Sequence, residues 1–162
     1  MYMAIIRSLL ISLSLWVVSV PATLAQNSSA PQKIQIQADH MEIDRKHGES
    51  IFTGNVDFRQ GNIHITAQRI HLLRRNGQLK QLVVQGEPAL FVQQATQTQP
   101  LVKSQALRME YDSDTGILRL LEQALLQQGN NRFTGEQIEY DTAAGRVTAT
   151  NQTSLTTTAK PE

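Results

Sequence analysis

Apolar and polar residues alternate along much of this chain with a period of two. Ile34, Ile36 and Ala38 interleave with Lys33, Gln35 and Gln37, and Ile63, Ile65 and Ala67 interleave with Asn62, His64 and Thr66. Successive side chains of a strand point to opposite faces, so this pattern predicts strands with one buried face. After Ala38 the phase slips: the next apolar residues, Met41 and Ile43, lie an odd step away. The same slip follows Ala67, Ala106 and Gly135. A slip of one residue moves every later side chain to the other face. Four slips at equivalent places predict four corners or bulges where a strand passes from one sheet to another, with small residues at the bend.

The corners belong to a repeated unit. Gly48, Gly77, Gly116 and Gly145 each lie ten residues after one of these small residues. Three copies read Asp-x-x-x-Gly (Asp44, Asp112 and Asp141), a turn in which Asp bonds nearby backbone and Gly adopts positive φ. The fourth uses Asn76-Gly77, a strong hairpin signal. Gly48 to Gly116 and Gly77 to Gly145 are both separated by 68 residues, so the domain reads as two halves of two hairpin-like units each. No segment predicts a helix. Ser104 to Arg119 is interrupted at Asp112 to Gly116, and Leu118 to Gln128 aligns with a strand of the first half. Thr96 to Lys103 is a polar loop; Asn27 to Gln32 and Ala159 to Glu162 are flexible ends.

Residues 1–25 have the pattern of an export signal: Arg7, an apolar run from Ser8 to Val20, then Pro21 and small residues up to Ala25. Cleavage after Ala25 leaves residues 26–162 as one domain, expected to be soluble in the periplasm. Without Arg7 that domain has 14 basic and 14 acidic residues, a balance that argues against a nucleic-acid partner. The chain has no cysteine, so disulfides and thiolate metal sites are excluded.

Candidate chemistry is sparse. Asp114-Thr115-Gly116 has the sequence of an aspartic-protease loop, but that chemistry needs a second such loop, and Gly116 is already explained by the repeat. The Asp-x-Asp spacing there lacks the later Gly and Glu of a calcium loop. His40, His47, His64 and His71 are spaced as solvated surface residues, so no metal site is predicted. Arg74, Arg75 and Lys80 form a small basic cluster around the Asn76-Gly77 turn, a solvated hairpin tip or a contact for a lipid headgroup phosphate. The apolar alternation itself has two readings: a closed β core, or a core left partly open as a lipid-sized trough.

The ordered combination of Ile36 to Asp44, Gly48, Phe52-Thr-Gly-Asn-Val56, Gln60-Gly61 and Ile65 to Ile70, with Gly86 to Phe91 and Phe133 to Ile138, resembles the OstA-like domain family of periplasmic lipopolysaccharide-transport proteins. The resemblance covers nearly all of residues 26–162. It implies an all-β fold, an open twisted β-jellyroll of two facing antiparallel sheets with an apolar interior. It implies lipopolysaccharide, through lipid A, as ligand and protomers stacked end to end. It also implies LptC-like and LptD-like jellyroll domains as partners at the inner and outer membranes, with no catalytic residue and no cofactor. The alternative is an adaptor that joins envelope proteins by edge pairing without carrying lipid. On this reading Ile34, Ile36, Met41, Ile43, Phe52, Val56, Phe58, Ile63, Ile65, Ile70, Leu72 and Phe91 face the lipid. Lys33, Ile34, Gln35 and Ile36 at one end, with Val147, Thr148, Ala149 and Thr150 at the other, form the edges that assemble.

Overall fold

The computed structural model describes residues 33–151 and 153–157. The proposed export signal and its cleavage site lie outside the described residues. Ten strands are described: β1 (Ile34–Gln37), β2 (His40–Asp44), β3 (Glu49–Gln60), β4 (Ile63–Arg75), β5 (Gln78–Gln93), β6 (Val102–Asp112), β7 (Ile117–Gln128), β8 (Asn131–Asp141), β9 (Val147–Thr150) and β10 (Ser154–Thr157). There is no helix among the described residues. β3 to β8 form an antiparallel meander in sequence order. β1 and β2 both pair with β3 at one end, and β9 and β10 both pair with β8 at the other.

Two short strands fit on each terminal long strand because the long strands bend. Register breaks fall between Thr53 and Val56 in β3, Thr66 and Arg69 in β4, Gln85 and Ala89 in β5, Gln105 and Arg108 in β6, and Leu121 and Ala124 in β7. Each break divides its strand into an arm in one layer and an arm in the other. One layer holds β1, β10 and the arms that carry Phe58, Ile65, Phe91 and Leu126. The second holds β2, β9 and the arms that carry Phe52, Ile70, Val84, Leu120 and Ile138. Their inward side chains form one buried cluster. The result is the all-β, open, two-layered jellyroll expected from the sequence.

The corners at Ala67 and Ala106 coincide with breaks in β4 and β6. Ala38 separates β1 from β2, and at Gly135 the partner of β8 changes from β10 to β9. The strands running the opposite way bend differently. β3 uses Gly54 and Asn55 at φ 79° and 44°, and β7 uses Glu122 and Gln123 at 63° and 54°. These pairs are 68 residues apart, so the half-repeat extends to the bend. In β5 the bend falls at Gly86-Glu87-Pro88, where the Glu87–Pro88 bond is cis.

The turns follow the repeat. Asp44 Oδ1 accepts the backbone N–H of Lys46 and His47, Asp112 Oδ1 those of Asp114 and Thr115, and Asp141 Oδ1 those of Ala143 and Ala144, at 2.9–3.1 Å. The glycine closing each turn has positive φ, and Asn76-Gly77 takes positive φ at both positions, as a type I′ hairpin requires. At Gly48 there is a second constraint: a Cβ would lie 2.3 Å from the backbone oxygen of Arg74.

The outer face of the second layer carries the cross-strand row Ile51, His71, Val83, Glu110, Arg119, Glu139 and Thr148, with Arg119 bonded to Glu139 at 2.8 Å. On the first layer Asp57 accepts from Arg59 and pairs with His64, both at 2.7 Å. Arg59 foremost, then His64, holds the Asp57 carboxyl down at about 2. Its contribution to stability is therefore complete above the ordinary value of 3.8 and is lost as pH falls toward 2.

Two outcomes follow. Glu122→Gly removes a left-handed side-chain penalty and should raise stability by about 1 kcal/mol in urea unfolding; an unchanged midpoint would mean that this backbone is not strained. Asp57→Asn should cost at most about 1 kcal/mol at neutral pH, because the group is only partly buried. That difference should disappear near pH 2; a deficit that persists in acid would assign the loss to packing instead.

Candidate functional site

A cavity of about 390 Å³ lies between the layers and opens to solvent at the hairpin tips. The first layer contributes Phe58, Ile63, Ile65 and Phe91, and the second contributes Leu79, Leu82, Val84, Met109, Tyr111 and Leu118. The polar side chains of the lining are Gln60, Gln93, Ser113 and Thr142, together with the hydroxyl-bearing Tyr111. The volume lies within the range of roughly 300–1,000 Å³ usual for ligand sites, and an apolar wall with a few polar groups is their usual chemistry.

Sheet register explains the lining. Across the inner face of the first layer runs one row of Ile36, Phe58, Ile65, Phe91, Ser104, Leu126, Phe133 and Leu155. The row nearer the tips is Ile34, Gln60, Ile63, Gln93, Val102, Gln128, Asn131 and Thr157. The deeper row is almost wholly apolar, whereas the rim row is rich in side-chain amides. The tips are clasped on one side of the cavity. Gln99, in the loop after β5, donates to the Thr142 carbonyl, and Gln128 donates to the Gly145 carbonyl.

Of the residues predicted to face lipid, Phe58, Ile63, Ile65 and Phe91 line this cavity. Phe52, Val56, Ile70 and Leu72 belong instead to the closed core. Ile34 and Ile36 are half-buried on edge strand β1, facing a shallow depression. Met41 and Ile43 depart most from expectation: on edge strand β2 they are 47% and 55% exposed. Met41 lies opposite buried Phe52, so it shares the inner face, but no strand lies beyond it to cover it. Leu155 is the counterpart at the far end, opposite Phe133 and 61% exposed. Both ends of the roll thus present uncovered apolar inner-face side chains. The lining from Leu79, Leu82, Val84, Met109, Tyr111 and Leu118 was not singled out from sequence, although Met109 and Tyr111 occupy repeat positions with the same alternation.

The basic cluster also rearranges. Arg74 and Arg75 are exposed, and the neighbouring tip adds Arg45, Lys46 and His47 along a shared groove of about 400 Å³ that includes Asp44 and Glu49. The backbone bond from Arg74 N to the Gly48 carbonyl draws the tips together. His47 is held by Asp44 at 2.6 Å, which raises its pKa and keeps it charged to higher pH than a free histidine. Lys80 turns away and pairs with Asp114. Asp114 is thus a turn residue with a surface partner, not half of a carboxylate pair.

The expected edges divide between layers. Val147, Thr148, Ala149 and Thr150 form β9, the edge of the second layer; the first layer ends in β10. At the opposite end β1, carrying Ile34, Gln35 and Ile36 just after Lys33, edges the first layer, and β2 edges the second. β2 and β10 were not recognised as separate edges because short strands beyond a corner look like continuations of their neighbours.

Asp112→Ala should cost about 1 kcal/mol in thermal or urea unfolding by removing the turn's acceptor, whereas Asp114→Asn should change stability by less than about 0.5 kcal/mol. A larger loss for Asp114→Asn would give its pair with Lys80 a structural weight that an exposed ion pair does not normally have.

The family described as LptA/(LptD N-terminal domain) LPS transport protein matches residues 35–146. The chain is 33% identical over 137 residues to the lipopolysaccharide export system protein LptH of Pseudomonas aeruginosa, covering 81% of this chain and 78% of that one. It is 32% identical over 135 residues to the lipopolysaccharide export system protein LptA of Escherichia coli K12, covering 82% and 72%. The crystal structure of the Pseudomonas aeruginosa LptH superposes with a TM-score of 0.73 at 27% identity, over 79% of this chain and 96% of that one. By family match and sequence identity together, the chain belongs to the LptA/(LptD N-terminal domain) family of LPS transport proteins.

Proposed function

We propose that this protein carries lipopolysaccharide across the periplasm, holding lipid A acyl chains between its two layers with the headgroup outside. The observation that carries this reading is the solvent-open apolar cavity, walled by side chains from both layers. A twelve-carbon chain exposed to water costs on the order of 10 kcal/mol, so a lipid with several chains needs continuous shelter between membranes. Uncovered apolar side chains at both ends, Met41 and Ile43 at one and Leu155 at the other, favour a path that continues into a neighbouring roll. The basic groove at Arg45, Lys46, Arg74 and Arg75 supplies charge near the tips for headgroup phosphates.

The four terminal strands favour assembly. β10 of one protomer can meet β1 of the next while β9 meets β2, continuing both layers and aligning the cavities. That contact is heterologous and generates open filaments, and related rolls at the two membranes would use the same edges. Partners of the LptC and LptD type belong to this proposal, as does export by the N-terminal signal. The adaptor reading shares the edges but has no use for the cavity.

Ile63→Trp should fill the cavity mouth and weaken lipopolysaccharide binding by about tenfold in a fluorescent displacement assay, with the thermal midpoint little changed. Normal binding by the folded variant would remove the cavity from the path. Light scattering over a dilution series should find concentration-dependent oligomers in the wild type and mostly monomer in Thr148→Pro or Thr150→Pro, since proline disrupts an edge ladder. A wild type that stays monomeric at high concentration would restrict the edges to docking with other proteins.

A further inference from the structure

One inner-face row of the second layer starts at Met41 on β2, passes Phe52, Ile70, Met109 and Ile138, and ends at Ala149 on β9. Every residue between its ends is buried, Met109 to 1% exposure, whereas Met41 is 47% exposed because no strand lies beyond β2. The two thioethers share a face and a row and differ in cover. The rest of the chain offers an oxidant little else. There is no cysteine, and the one tryptophan, Trp16, lies with Met1 and Met3 in the segment read as an export signal. In the processed chain Met41 is therefore the exposed side chain most open to oxidation. A peroxide transfers one oxygen to it: the Sδ lone pair forms the S–O bond as the O–O bond breaks. Sulfur gives up two electrons, and hydrogen peroxide leaves as water. The product is a sulfoxide, a polar acceptor where an apolar sulfur had been.

We propose that Met41 is an oxidation site at which a peroxide weakens addition of the next protomer. This rests on the end-to-end assembly proposed above and adds a control to it. In a free roll the sulfoxide is hydrated at the edge. Pairing β9 of the next protomer onto β2, in the register that continues the row, sets that protomer's Ala149 beside Met41. The sulfoxide then gives up its water among apolar inner-face side chains, and an alanine side chain has no donor to offer it. Backbone N–H groups at the joint are committed to the ladder. A buried polar group without a partner is unfavourable, so oxidation opposes this joint. The coupling also runs the other way: a joined protomer covers Met41 and shields it from the oxidant. The control thus acts on the free end of an assembly and spares its interior.

The test is light scattering over a dilution series of the full-length processed protein, before and after hydrogen peroxide, with oxidation located by peptide mass spectrometry. The Met41 peptide should gain one oxygen while the Met109 peptide stays unmodified. The association midpoint should then move to about tenfold higher concentration. A methionine sulfoxide reductase with dithiothreitol removes the oxygen as water while two thiols close to a disulfide, and should restore the original midpoint. Met41→Leu, compared with its own untreated sample, should show no response to peroxide. In the wild type, Met41 should oxidise more slowly at high protein concentration than at low. An oxidised wild type that associates like the untreated protein would overturn the assignment while leaving the assembly reading intact. So would a peroxide response that survives in Met41→Leu. An untreated wild type that is monomeric at every concentration would remove the assembly reading, and this inference with it.

Discussion

The bend in the middle of each long strand is the constraint on which the rest of this protein depends. A flat antiparallel meander of these strands would bury nothing, because its apolar face would lie open to water along its whole length. Bending every strand at one level folds that face onto itself, so each strand contributes a wall to both layers. The cost is local: ladder pairs are lost at each break, and left-handed backbone is imposed at Gly54, Asn55, Glu122 and Gln123. The return is a core in which Ile70, Val102, Ala106, Leu120, Leu126 and Ile138 are fully buried. Hydrophobic burial on that scale outweighs a few left-handed residues at about 1–2 kcal/mol each.

The same bend determines where the fold stays open. Strands that cross both layers join them along the corners, while the tips are held by side-chain and loop contacts alone. Where the loop after β5 reaches across, Gln99 and Gln128 tie the layers together. Beside those ties the interior opens into the cavity. The ends are open for a related reason: β1, β2, β9 and β10 are short and belong to separate layers, so no terminal strand spans both layers to cap the roll. Inner-face residues there, such as Ile43 and Leu155, retain exposure that a closed sandwich would not tolerate.

Much of this was legible in the sequence because it is written in local rules. Asp-x-x-x-Gly and Asn-Gly determine their own turns, and a phase slip beside Ala67 or Ala106 announces a bend. The bends of the opposing strands left weaker traces. Gly54-Asn55 is a recognisable left-handed pair, but at the equivalent place Glu122-Gln123 is held there by its surroundings, against local preference. Alternation also identifies a face without identifying depth. Ile36, Ile65 and Ile70 have the same local pattern, yet they lie on an edge, in a cavity wall and in the closed core. Ile36 differs because no strand lies beyond β1, whereas Ile65 and Ile70 lie on opposite arms of β4 and differ in what the facing layer packs against them; both are properties of the whole meander. The opposite cavity wall, Leu82 and Val84 with Met109, was visible as alternation but needed the pairing of the layers before it became a wall.

The distribution of polarity inside the roll separates a container from a core. A core that only had to be stable would gain from replacing Gln93 by an aliphatic side chain, since its buried Oε1 has no hydrogen-bond donor among the described residues and is a liability. The amides are not scattered. Gln60, Gln93 and Gln128 occupy one cross-strand row, next to the tips, and the row beneath them carries Phe58, Phe91 and Leu126. Gln60 and Gln128 are also equivalent across the 68-residue repeat, so the polar rim is built into the repeating unit. Polarity that rises over a single row, from hydrocarbon depth to amide rim, matches the junction of an amphiphile, where an apolar chain meets its polar head. A closed adaptor gains nothing from such a gradient, whereas a carrier needs it to hold the chain at the correct depth while the headgroup stays in water.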